Sequence, residues 1–136
     1  MCVFTHFAAG ALAGSLLPVP AVAPLLGLGS HLLLDVIPHR DFEDYRIEIV
    51  LWLVAMAVLA VMGGMTLAVT LAGLFAVLPD LENLLWKLGR LRDDQKIFPG
   101  HRPGWLRHGR EAGRSSIALQ VAFTVAVVVF LIRRSP

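Results

Sequence analysis

The stretch GLGSHLLLDVIPHRD, residues 27–41, carries His31, Asp35, His39 and Asp41 at the end of an apolar run. His31 and Asp35 are four residues apart, so on a helix both side chains leave from one side and can reach a common ion. Imidazole and carboxylate together suit zinc, manganese or iron better than calcium, which prefers oxygen ligands alone. A carboxylate inside a bilayer costs about 2.5–3.5 kcal/mol on insertion scales, and a bound cation would offset that cost. Further candidates are His6 near the start, Asp80 and Glu82 after Pro79, and His101, Arg102 and His108 in a basic stretch. Each also has a plainer explanation. His31 and Asp35 can hydrogen-bond each other to join two helices, Asp80 can cap a helix beside Pro79, His39 can be a solvated interfacial residue, and His108 can be a loop residue or a substrate contact.

The elements that must position these groups are apolar. Of 136 residues, 57% are hydrophobic and 16% charged, with a mean hydropathy of +0.71. A soluble domain carries about a quarter charged residues, so the surplus points to lipid as the solvent and to a single integral membrane domain over residues 1–136. Residues 3–37 hold no Lys or Arg, and Pro18, Pro20 and Pro24 divide them into two short helices, about 3–16 and 21–37. Both are short for a perpendicular crossing, which takes about 20 residues, so a tight or re-entrant hairpin is expected. Asp41, Glu43 and Asp44 suit the start of a span over about 42–62, because acids favour the positive end of the helix dipole. Gly63-Gly64 marks a turn, and a fourth apolar segment from Met65 runs into Pro79, which must kink or restart it. The last apolar run, residues 116–132, ends at Arg133-Arg134. The fold expected is an all-α, multi-pass transmembrane helical bundle of about five apolar helices. Ala21-Val22-Ala23 resembles a signal-peptide cleavage site, but the basic leader is missing and cleavage would remove His6. The lone cysteine, Cys2, excludes an internal disulfide.

Two consecutive hairpins before residue 87 would place the N-terminus, the 38–46 connection and the 87–114 loop on one membrane face. Ten of the twelve Lys and Arg residues fall there, so the positive-inside bias makes that face cytoplasmic, at a cell (inner) membrane. All five histidines and Asp35, Asp41, Asp80 and Glu82 fall on or near the same face, and this convergence is the main functional signal. The eight cations of residues 87–114 satisfy topology, attract anionic lipid and could orient a phosphate-bearing substrate. With few aromatics among these cations and no recognition fold in view, nucleic-acid binding is not expected.

FTHFAAGALAG with Thr5-His6, GSHLLLDVIPH, LPDLEN with Pro79-Asp80-Leu81-Glu82, and HRPGWLRH with His101-Arg102 and His108 together resemble the bacterial membrane-bound metal-dependent hydrolases. That family has an N-terminal Thr-His, a Pro-Asp-x-Asp and a His-Arg-Gly-x-x-His motif. Here Glu82 replaces the usual Asp, Asn83 stands where a His is common, and the gap before His108 is longer. The His-x-x-x-Asp spacing is similar to ligand pairs of zinc-dependent phospholipases C. The resemblance implies a divalent metal, zinc first and manganese or iron next, with His6, His31, Asp35, His39, Asp80 and His101 as candidate ligands. Glu82 or Asp41 would serve as general base and Arg102 would neutralise phosphate charge. The expected activity is hydrolysis of an ester or phosphoester, lipid-linked by virtue of the interfacial location, with membrane lipids as the surroundings. The alternative is a metal-binding membrane protein without catalysis, in transport, regulation or assembly. The sparse polar groups of residues 49–78 and 117–132, Thr66, Thr70, Gln120 and Thr124, disfavour its transport form.

Overall fold

The computed structural model describes residues 1–102, 104–105 and 112–134, and every described element is helical. His108, Arg107 and Arg110 lie outside the described residues. Helix α1 spans Val3–Leu16 and ends two residues before Pro18. Helix α2, Ala23–Val36, starts with Pro24 in its first turn, where the missing N–H has no intrahelical partner to lose, and ends as Pro38 pushes Ile37 into extended backbone. Asp44 caps α3, Tyr45–Val61, by accepting from the Arg46 N–H at 2.9 Å. Gly63, at φ 79°, makes the turn into α4, Leu67–Val77, which Thr66 caps through Val69 N–H. Pro79 restarts the chain as α5, Asp80–Lys87, bent by 41° from α4. Helix α6 is Ser115–Arg134.

Helix α1 is the centre of the molecule, touching α2, α3, α4 and α6. Its approach to α4 is backbone-close because the facing residues are small. A Cβ on Gly10 would lie 2.4 Å from the Ala72 carbonyl oxygen, and one on Gly14 would lie 2.5 Å from that of Ala68. A Cβ on Gly27 of α2 would lie 2.3 Å from the same Ala72 oxygen, so two helices share one stripe of Ala68, Ala72 and Ala76. Small residues four apart are the usual way helices pack where lipid removes the hydrophobic drive to associate. A conventional apolar core, with Phe7, Leu59, Val69 and Leu131, fills the end of the bundle away from the histidines.

Large apolar side chains are exposed on α2, α3, α4 and α6 alike, Leu33, Val61, Leu67 and Leu119 among the most open. Among the described residues, α6 is the one helix long and apolar enough to cross a bilayer by itself, with a hydropathy of 2.4. The bent α4–α5 pair passes only when taken as one span.

Candidate metal centre

Three connections meet at one end of the bundle. Gln120 of α6 holds two of them, its Oε1 accepting from the Cys2 N–H at 2.9 Å and its Nε2 donating to the Arg40 carbonyl at 2.8 Å. Glu48, buried in the first turn of α3, accepts from Val3 N–H and Phe42 N–H and pins the start of α1 to the 38–46 connection. The loop after α5 is clasped by Glu82, whose carboxylate accepts from the Ile97 and Phe98 amides. A turn, His101 N–H to Phe98 carbonyl, then delivers His101 over the end of α2.

There His31, Asp35 and His101 form a nearly equilateral triangle. His31 Nε2 and Asp35 Oδ2 are 3.1 Å apart, His101 Nε2 and Asp35 Oδ2 3.3 Å, and the two Nε2 atoms 3.2 Å. Ligands each about 2.1 Å from one ion lie about 3.0–3.4 Å apart at bond angles of about 90–109°. The tautomer of His31 is set from behind: its Nδ1 donates to the Ala76 carbonyl at 2.6 Å, which turns the lone pair of Nε2 towards a carboxylate oxygen. Two acceptors in that arrangement need a proton or a cation between them, and the trio has the separations to hold a metal ion.

His6 and Asp80 close in from the sides. The His6 ring stacks on His31 at 3.8 Å between centroids, its Nε2 is 3.3 Å from Asp35 Oδ1, and it is fully buried with no hydrogen-bond partner on Nδ1. Asp80 Oδ1 is 4.0 Å from His101 Nε2, and its Oδ2 is buried without a hydrogen bond. Leaving such an atom unsatisfied costs about 1–3 kcal/mol, a cost that a ligand would remove. His6, His31 and Asp80 form a second group with metal-binding separations. Because His31 has only Nε2 to offer, the two groups describe one centre rather than two independent ones.

The other sequence candidates are placed differently. His39 turns back on its own connection, its Nδ1 donating to the Ile37 carbonyl at 2.7 Å and its Nε2 facing the Met1 amino group. Glu82, expected as a base, spends its oxygens on the Ile97 and Phe98 amides and stands 3.8 Å from His101 Nδ1, where it steadies that ring. Arg102 stacks over Trp105 at 4.9 Å. Asp41 lies outside the triangle, near Cys2 and Glu48, which make a third group with metal-binding separations. In that group burial first, and then the Glu48 and Asp41 charges, push the Cys2 thiol up from its ordinary value, and Glu48 is already engaged by two amides.

Two residues that matter were not singled out by their types. Asn83 places its Nδ2 3.1 Å from His101 Nε2. Gly100 lets the loop close on the cluster, since a Cβ there would lie 2.7 Å from Asp35 Oδ2. Comparison with protein-family models, curated proteins and solved structures finds no match to this chain.

Proposed function

We propose that this chain is a multi-pass membrane protein that binds one divalent cation, zinc first, through His31, Asp35 and His101 with His6 and Asp80, and hydrolyses an ester or phosphoester at the cytoplasmic face. The observation that carries the proposal is the triangle of Nε2, Nε2 and Oδ2 atoms, with the His31 tautomer set to present a lone pair. The apolar side chains exposed on four helices support several passes through lipid, because a water-soluble monomer rarely leaves so large an apolar surface open. The short α1–α2 pair then enters the bilayer as a hairpin whose open end carries the ligands.

A bound ion would supply a water of lowered pKa and polarise the scissile ester. The chain's own contribution is placement. His31 is oriented by the Ala76 carbonyl, His101 by its turn and by Glu82 on Nδ1, and Asp35 is enclosed by Gly100. Of the nearby carboxylates, Asp80 has an oxygen without a hydrogen bond and can accept a proton through it, whereas Asp41 faces the Met1 amino group at 3.5 Å and Glu82 is committed to backbone amides.

The test is metal content of the detergent-purified protein by elemental mass spectrometry, together with hydrolysis of a generic phosphoester. About one equivalent of metal is expected in the wild type, falling at least about tenfold in His31→Ala and Asp35→Asn, with hydrolysis lost in step. Metal without hydrolysis would leave the non-catalytic binding role. A wild type that takes up no zinc, manganese or iron would reduce the cluster to a polar joint between helices.

A further inference from the structure

A groove of about 350 Å³ runs beside the cluster, between α3 and the α4–α5 bend. It exists because α3 and α4 pack on different sides of α1, leaving the interval between them unfilled. Ile49 and Trp52 line one wall, and Leu74 and Leu78 the other. Its volume is at the low end of the range for small-molecule sites, about 300–1,000 Å³, which suits one hydrocarbon chain better than two. Leu74 and Leu78 are also exposed at the surface, so the groove opens where lipid would lie.

The two ends of the groove differ in chemistry. Asp80, which flanks the metal-ligand triangle, also lines the groove, so the polar end is continuous with the proposed metal centre. Lys87, exposed two turns further along the same face of α5, is the only lysine or arginine among the described residues of the lining. Asp41, Glu48 and Asp80 outnumber it, so the lining repels an anion until a cation occupies the cluster. Apolar walls, a lipid-side opening, a metal-ligand cluster and one lysine together select an amphiphile with one negatively charged head.

We infer that the groove seats the hydrocarbon chain of a lipid phosphoester, with its phosphate held between Lys87 and the metal centre. This deepens the hydrolase reading and rests on it for the phosphate, which the acidic lining accepts only with the ion bound, while the chain seat is independent of it. A phosphate is favoured over a neutral ester because Lys87 together with a cation in the cluster matches a head charge that a neutral ester does not have.

The test uses the full chain in phosphatidylcholine nanodiscs, with Trp86→Phe and Trp105→Phe so that Trp52 is the one remaining indole. 12-Bromododecyl phosphate and 12-bromododecanol are compared as quenchers of its fluorescence, on zinc-loaded protein whose metal content is measured in the same samples. The phosphate is expected to quench at about a tenfold lower mole fraction than the alcohol. Ile49→Phe with Leu78→Phe should abolish this difference by filling the groove, and Lys87→Gln should reduce it severalfold, both with metal content unchanged. Equal quenching by alcohol and phosphate would overturn the phosphate assignment. Quenching unaffected by the filled groove would overturn the chain seat. If no metal binds but the filled groove still reduces quenching by the alcohol, the metal reading falls and the chain seat stands; metal bound with equal quenching in the open and the filled groove has the opposite meaning.

Discussion

His31 shows how one residue acquires a function from its surroundings. Its Nδ1 is consumed by the Ala76 carbonyl, and Nε2 is left facing Asp35 and His101 across 3.1 and 3.2 Å. Residues that only position such ligands are expected to matter by about 10–100-fold in metal affinity. Gly100→Ala, which drives a methyl against Asp35 Oδ2, should weaken zinc binding by that factor in a competition titration with a chromogenic chelator. Its melting temperature should stay close to that of the wild type, because the contact lies in a loop. Asn83→Ala, which removes an amide competing for the same His101 Nε2, should leave zinc binding unchanged or tighten it. If Gly100→Ala leaves the affinity unchanged, the loop does not hold the ligands.

Among the elements, α1, α2 and α4 depend on side chains that are nearly absent. Gly27 and Gly29 lie two residues apart on α2 with opposite environments: a Cβ on Gly27 would strike the Ala72 carbonyl oxygen at 2.3 Å, and one on Gly29 would meet nothing within 4 Å. Gly27→Ala should therefore destabilise the protein by about 1–3 kcal/mol through forced separation of backbones. Gly29→Ala should be neutral or stabilising by up to about 1 kcal/mol, from helix propensity alone. Thermal unfolding in a fixed detergent checks the sign of each. Gly10→Leu belongs with Gly27, and because α1 carries His6, it should also reduce metal content. Two changes of the same sign at positions 27 and 29 would count against the shared Ala68–Ala72–Ala76 contact.

For the whole molecule, the chain's route places the ends of α2, α4 and α5 and the start of α1 together, with the 18–22 and 62–66 connections at the opposite end. Cysteines introduced singly at Glu43 and Arg90 should react with an impermeant maleimide from one side of the membrane, and those at Val19 and Met62 from the other. Cys2 is buried, so its background labelling should be low. Labelling of positions 43 and 90 from opposite sides would dismantle the common face on which the metal centre and the groove both depend.

Much of this architecture is written locally in the chain. Prolines 18, 24, 38 and 79 end, start or bend helices through their own ring geometry, and the His31 to Asp35 spacing alone puts an imidazole beside a carboxylate. His6, Asp80 and His101 were legible as candidates because ionisable groups beside apolar runs stand out. The tertiary structure decided which candidates met. His39 and Glu82 share the same end of the molecule but bond to backbone, whereas His101 crosses 70 residues of sequence to reach His31. It also decided that Gly10, Gly14 and Gly27 are contacts and Gly29 is not, although the Gly10-x-x-x-Gly14 spacing was a signal available for the first two. The physical reason is that helix limits and same-face spacing follow from neighbours along the chain. Ligand geometry follows instead from how closely α1 and α2 approach α4, and from a loop held down by Glu82, and neither is a property of any local stretch.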